Sequence, residues 1–391
     1  MKKTIVIFIG GYLPGKKYGG PVTSLENFIN QMCDQYNIRV ICSDHDFKEE
    51  KRYENISNGW NQVGNAQVYY INDKEYSYKS FLEIVNPFYE EIEFFYLSGI
   101  YYIKMNYSAM KVANKINKPV LLAPRGDLMK NTISMNSKVK MIKKLTFLKI
   151  AKIFNVFSNI YFQSTSNEET LGLKKYLGIP KDRIFEVVNM PMLKNSNNVN
   201  LKKKNELRIM FISRLMVKKN LYFAIDVVGK INKKYNVIFD IYGPKEDLEY
   251  WSKCEKKITQ VNKLNSNCII SYKGSLNPNE AKNIYEKYDC FLFPTTSENY
   301  GHVIAESMFS DCPVILSKGT TPWDDYDENG GYVISLEEPN RFTECLEKIA
   351  EMDNQDYNEL IRLNRKYIDN KFKIEALKKE YLKMINTICK R

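Results

Sequence analysis

The feature that most constrains this chain is a regular alternation of short apolar runs with helical stretches, arranged in two series separated by a polar segment. The first series places strands at Thr4–Ile9, Ile38–Cys42, Gln67–Ile71, Phe94–Leu97, Val120–Ala123, Ile160–Gln163 and Ile184–Val188. The second places them at Leu207–Ile212, Val237–Tyr242, Cys268–Lys273, Cys290–Phe293, Pro313–Leu316 and Tyr332–Ile334. From Asn340 onward the pattern is helical, ending in Lys373–Lys390. Strands that alternate with helices predict parallel α/β architecture. The stretch Met192–Glu206 is rich in Asn and Lys, lacks periodicity and reads as a linker.

A chain of 391 residues is too long for one ordinary core and suits two domains. The reading is an α/β chain with an N-terminal Rossmann-like domain over residues 1–191, a linker over 192–206, a C-terminal Rossmann-like domain over 207–371 and a final helix over 372–391. In such an arrangement the binding site is expected in the cleft between the halves, at the carboxyl ends of the strands. The net charge is +12 and unevenly spread: residues 1–200 hold 27 Lys and Arg against 18 Asp and Glu, the rest 31 against 28. An acidic partner therefore meets the first half. Eight scattered cysteines (Cys33, Cys42, Cys254, Cys268, Cys290, Cys312, Cys345 and Cys389) form no CxxC pair and read as free thiols. With only His45 and His302 present, a histidine-based metal site is not expected. Met1-Lys2-Lys3 leads straight into the first strand, unlike a signal peptide, and no apolar stretch approaches the ~20 residues of a membrane span. The expected location is cytoplasmic, with at most a peripheral seat on a membrane.

Two loop sequences carry the chemistry. Ser297-Glu298-Asn299-Tyr300-Gly301-His302-Val303-Ile304-Ala305-Glu306 follows the strand Cys290–Phe293, and helical character begins at Tyr300. Such a strand-to-helix loop offers free backbone N–H groups to an anion, and Gly301 lets the anion come close. Two carboxylates, Glu298 on the loop and Glu306 two turns into the helix, suit a ligand with phosphate at one end and many hydroxyls elsewhere. Alternatively, Glu298 caps a surface helix and Glu306 faces solvent. The second sequence, Ser213-Arg214-Leu215-Met216-Val217-Lys218-Lys219-Asn220, also joins a strand to a helix. Arg214 and Lys219 can grip a diphosphate there. Cations at a helix N-terminus are otherwise disfavoured by its dipole.

With these motifs the chain resembles family 4 of the retaining glycosyltransferases, which have the GT-B fold. The paired glutamates Glu298 and Glu306, the cations Arg214 and Lys219, Tyr242-Gly243-Pro244, Tyr272-Lys273-Gly274, Cys312-Pro313-Val314-Ile315 and Thr321-Pro322-Trp323 are similar to family elements, as is the glycine-rich loop Gly10–Gly20. The resemblance implies two Rossmann-like domains facing each other across a cleft, with the C-terminal helix crossing back to the first domain. It implies that Arg214, Lys219 and the Asn299, Tyr300, Gly301 and His302 backbone hold the donor diphosphate. Glu306 would hold the ribose and Glu298 the transferred sugar, Gly243 and Lys273 would complete the donor site, and Gly19 and Gly20 would let the first domain approach the phosphates. The donor is a nucleotide sugar, UDP- or GDP-linked, the acceptor a glycan or lipid-linked hydroxyl, and no cofactor or metal is implied. In two places this chain departs from the family: Ala123-Pro124-Arg125-Gly126-Asp127 puts Arg125 where the family commonly has His near the reacting carbon, and Ser307 and Asp311 occupy places usually filled by Ala and Gly, which affects only packing. A guanidinium cannot serve as a base, so Arg125 either orients an anionic acceptor, the favoured reading, or holds Asp127 or Glu298 in place, or serves only the fold.

Leu128 to Asn167 contains no acidic residue and seven lysines, among them Lys138, Lys140, Lys143 and Lys144. On a helical wheel the lysine face flips near Thr146, which predicts a break, a kink or two helices. The stretch suits either docking on an anionic membrane surface or a solvated helix face. Asp325-Tyr326-Asp327 and Asp44-His45-Asp46 have the DxD form of metal-dependent transferases, but such triplets arise by chance among 46 acidic residues. Nucleic-acid binding has net charge behind it and no recognition motif. The function expected is a retaining hexosyltransferase of bacterial surface polysaccharide or glycolipid assembly. The alternatives are a non-catalytic GT-B subunit partnering another transferase, motivated by Arg125, and a nucleotide-sugar epimerase, which the scarcity of histidine argues against.

Overall fold

The computed structural model describes all residues except 1, 16, 130–137, 193–200, 277–279, 281–282, 299 and 391. The chain forms two compact units, Met1–Met190 with Ile374–Arg391, and Pro191–Lys373.

The first unit is built on a sheet of β1 (Thr4–Ile9), β2 (Asn37–Ser43), β3 (Trp60–Val63), β4 (Ala66–Ile71), β5 (Ile92–Ser98), β6 (Val120–Ala123), β7 (Tyr161–Ser164) and β8 (Ile184–Glu186), in the order β3-β4-β2-β1-β5-β6-β7-β8. Every pairing is parallel except β3 with β4. Strand β3, which the apolar pattern did not predict, pairs Val63 with Ala66 across Gly64-Asn65, a two-residue hairpin connection. All six residues of β1 are buried, as a central parallel strand covered on both faces requires. Helix α1 (Gly20–Met32) starts where expected, with Pro21 in its first turn and Gly19 at φ 67° as its cap. Helices α2 (Tyr78–Val85) and α3 (Ile103–Lys115) add Phe81, Val85, Met105, Ala109 and Val112 to the core.

Helix α4 (Lys138–Ile153) is continuous, so the break expected near Thr146 is not there. The wheel pattern has another cause: apolar side chains occupy two opposite faces of one helix. Leu148 and Ala151 are buried, whereas Val139, Ile142, Ile150 and Ile153 point to solvent. After the short α5 (Asn167–Gly172) and β8, the chain leaves the first unit past Met190. It returns there through its C-terminal helix, which buries Leu377, Tyr381, Met384, Ile385 and Ile388, one stripe at helical spacing.

The second unit carries β9 (Glu206–Ile212), β10 (Asn236–Tyr242), β11 (Cys268–Gly274), β12 (Cys290–Phe293), β13 (Val314–Ser317) and β14 (Tyr332–Ile334), all parallel, in the order β11-β10-β9-β12-β13-β14. Its helices are α6 (Leu221–Val228), α7 (Leu248–Leu264), α8 (His302–Phe309), α9 (Pro339–Glu351) and α10 (Asn354–Lys371), and the C-terminal helix Ile374–Cys389 is α11. Helix α8 begins two residues later than expected, because Gly301 takes the left-handed conformation (φ 74°) and caps it. The segment before β9 is anchored: the buried Lys202 ammonium donates to the carbonyls of Lys203 (2.7 Å) and Ala350 (3.5 Å) and to that of Glu206.

Candidate donor site

In the second unit the strand order reverses between β9 and β12, and ligands of open parallel sheets bind beside such a switch point, at the carboxyl ends of the strands. The two motif loops leave the sheet there. They are tied by backbone: the Lys218 carbonyl accepts from the Thr296 amide (2.9 Å) and from the hydroxyls of Thr295 and Thr296 (3.1 Å each). The Glu298 amide donates to the Thr320 carbonyl after β13 (2.7 Å), and the Trp323 indole donates to the Tyr300 carbonyl (2.6 Å). Across β9 and β10, the Ser213 amide donates to the Tyr242 carbonyl (3.1 Å) and the Leu215 amide to that of Pro244 (2.9 Å). Gly243 sits at φ 131°, and a Cβ there would lie 1.8 Å from the Ser213 carbonyl oxygen, so only glycine fits this crossing.

The structure brings Lys219 and Glu298 together. The Lys219 ammonium, ending a 3₁₀ turn (Val217–Lys219), forms an ion pair with the Glu298 carboxylate, and their side chains are 10% and 19% exposed. Lys219 also lies over the Phe293 ring, 5.3 Å from its centre. Arg214 is more exposed and pairs with Glu246 (3.1 Å) in the loop after β10. Glu306 accepts a hydrogen bond from the fully buried Tyr285 hydroxyl (3.1 Å), whose pKa burial drives upward. Lys273, at the end of β11, stands 3.5 Å from Asp240 on the neighbouring strand. Tyr300, Gly301 and His302 form the turn into α8, with the Tyr300 and His302 rings 4.5 Å apart. Asn299 lies outside the described residues. The arrangement sets cations, a helix N-terminus and carboxylates along one sheet edge, which suits a ligand with a diphosphate and free hydroxyls. Glu246 and Tyr285 were missed in the sequence. Each acts through a partner over 20 positions away, and neither lies in a motif.

In the first unit, Gly19 and Gly20 stand at the start of α1, after the carboxyl end of β1. Arg125 follows β6 with φ 57°, and its guanidinium is held inside the unit. It donates to the Tyr96 hydroxyl (2.7 Å), to Ser98 Oγ (3.4 Å) and to Asn189 Oδ1. The chain of donors continues: Tyr96 donates to Gln163, Gln163 to the Tyr381 hydroxyl of α11 (2.7 Å), and Tyr381 to the Val188 carbonyl (3.0 Å). Arg125 thus ends a polar network that fastens the last helix. Next to it, Glu169 clamps the amides of Gly126 and Thr165, and Asp127 accepts from the Ile100 amide (3.1 Å). Burial raises the Asp127 carboxyl from 3.8 to about 6. Of the DxD triplets, Asp325 is committed to Lys371 (2.7 Å) and Tyr367 (2.9 Å), and Asp44 contacts His45 (2.8 Å).

Residues 194–367 match the family model described as glycosyl transferases group 1. A stretch of 105 residues is 30% identical to the UDP-N-acetylglucosamine–peptide N-acetylglucosaminyltransferase GtfA subunit of Streptococcus parasanguinis. That match spans 26% of this chain and 19% of the relative's length. Among solved structures, the Anabaena protein Alr3699/HepE in complex with UDP-glucose superposes with a TM-score of 0.69 at 14% identity, covering 98% of this chain and all of the other. A glycosyltransferase from Rickettsia africae gives 0.69 at 13% identity, covering 100% of this chain and 99% of the other. WaaG, a glycosyltransferase involved in lipopolysaccharide biosynthesis, gives 0.63 at 12%, covering 99% of this chain and 100% of the other. The chain has the GT-B fold, and residues 194–367 are similar to the glycosyl transferases group 1, in keeping with the motif resemblance.

Proposed function

We propose that the protein is a retaining glycosyltransferase that moves a hexose-type sugar from a UDP- or GDP-sugar to an acceptor hydroxyl, in the assembly of surface polysaccharide or glycolipid. The observation that carries the reading is the Lys219–Glu298 pair beside Arg214 at the switch point of a domain similar to the glycosyl transferases group 1. Arg214 and Lys219 bind the diphosphate and neutralise the charge that grows as the bond from the anomeric carbon to the β-phosphate oxygen breaks. Lys219 then exchanges part of its contact with Glu298 for phosphate, which leaves the Glu298 carboxylate to accept from sugar hydroxyls. Glu306, oriented by Tyr285, accepts from the ribose hydroxyls. The acceptor oxygen bonds to the anomeric carbon on the face the nucleoside diphosphate leaves, and the departing phosphate oxygen takes the acceptor's proton. No protein base is required, in keeping with Arg125 where a histidine would stand. Because protein cations supply the positive charge, binding needs no metal ion. The acceptor is a glycan or a lipid-linked sugar, and the enzyme works at a cytoplasmic membrane face as a peripheral protein. UDP is the first base to test, since solved proteins of the same fold were crystallised with it.

A thermal-shift panel of nucleotide sugars tests the donor, because a ligand that binds only the native state raises the melting temperature. Turnover with the best donor, with the anomeric configuration of the product read by proton NMR, tests retention. An inverted product, or no shift with any UDP- or GDP-sugar, overturns the proposal. A second reading, a non-catalytic subunit, is favoured by the commitment of Arg125 to an internal network. It predicts donor binding without turnover unless a partner is added.

A further inference from the structure

Helix α4 carries an outward-facing apolar ridge. At about 100° per residue, Val139, Ile142, Thr146, Ile150 and Ile153 fall on one line, opposite the buried Leu148 and Ala151. Four of the five are large apolar side chains that are 63%, 59%, 49% and 63% exposed, and Phe154, just past the helix end, is 74% exposed. The ridge runs about 20 Å. Exposed Lys143 and Lys149 lie on its two sides, and Lys140 and Lys152 further back. Lys144 does not join them, because it folds inward over the Tyr101 ring, 4.4 Å from its centre. The side chain of Lys138 lies outside the described residues. A solvated helix face would put its lysines on the outermost line. Here that line is apolar and the lysines flank it.

We infer that α4 is an interfacial membrane helix whose Ile142–Ile150–Ile153 ridge, with Phe154, inserts among the acyl chains of an anionic bilayer surface while Lys143 and Lys149 reach lipid phosphates. The inference deepens the peripheral-membrane part of the proposed function, and donor binding does not depend on it. A helix lying in the interface plane needs this composition, an apolar face rimmed by cations. Leu128 to Asn167 contains no carboxylate, so the local field favours an anionic surface. A second copy of the chain suits the ridge less well, since a two-fold contact would bring like lysine rows together. Attraction by a lysine cluster alone would be lost at high salt, whereas insertion of the ridge persists when the Debye length falls to about 3 Å in 1 M salt.

The test is flotation of the full chain with vesicles of phosphatidylcholine alone or with phosphatidylglycerol added, at low and high salt. The wild type is expected to float with the anionic vesicles and to keep a substantial part of its binding at high salt. A ridge variant (Ile142→Ser, Ile150→Ser, Ile153→Ser) is expected to partition at least about ten-fold less. A flank variant (Lys143→Gln, Lys149→Gln) should lose most of the preference for anionic lipid. In an otherwise wild-type chain, Ile153→Trp should shift its emission to the blue on vesicles, a reading that stands even if the triple variant folds poorly. Unchanged nucleotide-induced thermal shifts in the ridge variant would separate this inference from the donor reading. Wild type that ignores anionic vesicles, a ridge variant that floats as well as wild type, or a dimer abolished by the ridge substitutions would overturn it.

Discussion

Removing either member of the Lys219–Glu298 pair should destabilise the second unit more than removing both. The side chains are only 10% and 19% exposed, so each charge is largely desolvated and relies on the other. At an effective dielectric of about 20, opposite charges about 4 Å apart attract by about 4 kcal/mol, and desolvation offsets part of that. Truncating one partner leaves the other poorly solvated, at a cost of about 3 kcal/mol. For a unit of this size that corresponds to a fall of roughly 6–12 °C in its melting temperature. The doubly neutral Lys219→Met, Glu298→Gln variant should recover most of the loss, so the coupling energy should exceed about 3 kcal/mol. Differential scanning calorimetry of the four proteins completes the cycle. Additive effects, or single variants that melt within a degree of wild type, would refute the claim that each charge is held by the other.

Three other outcomes follow from named contacts. Because burial raises the folded Asp127 carboxyl from 3.8 to about 6, the folded state holds this proton more tightly than the unfolded one. Stability is therefore lost as pH rises from about 4 to about 6, by roughly 2–3 kcal/mol, and Asp127→Asn should melt above wild type at pH ~7.5 but level with it at pH ~4; a gap that does not vary with pH would contradict this. Arg125→Ala removes donors from Tyr96, Ser98 and Asn189 and should lower the melting temperature of the first unit, with no change in nucleotide affinity. A variant as stable as wild type but raised in acceptor KM would give the residue to the acceptor alone. Gly243→Ala meets both a positive φ and the Ser213 carbonyl at 1.8 Å, so it should cost several kcal/mol and donor binding with it, read by urea unfolding and nucleotide titration; a variant with wild-type stability would show that the loop can move aside.

Where the apolar run was long and its flanks were clear, as at Thr4–Ile9, the strand was legible in the chain itself, because a fully buried parallel strand must be apolar throughout. Strand β3 was not legible from its mixed pattern (Trp60, Asn61, Gln62, Val63), though Gly64-Asn65 before Ala66 was a hairpin signal. The motif residues Arg214, Lys219, Glu298 and Glu306 were readable, since loop position after a strand follows from order along the chain. Their partners were not: which carboxylate meets Lys219, and that Arg214 turns to Glu246, depend on sheet order. Helix α4 misled for a physical reason. Hydrophobic periodicity assumes one apolar face per helix, and this helix has one turned to the core and another turned out.

The central claim is that the edge of the second unit holds a nucleotide sugar's diphosphate with Arg214 and Lys219. Isothermal titration of UDP and GDP, in a chelator, against wild type and the Arg214→Ala, Lys219→Ala variant tests it most directly. The account predicts metal-free binding of one nucleotide by the wild type and a loss of roughly 2–5 kcal/mol in the variant. Equal affinity in the two proteins, or binding that appears only when a divalent cation is added, would contradict it.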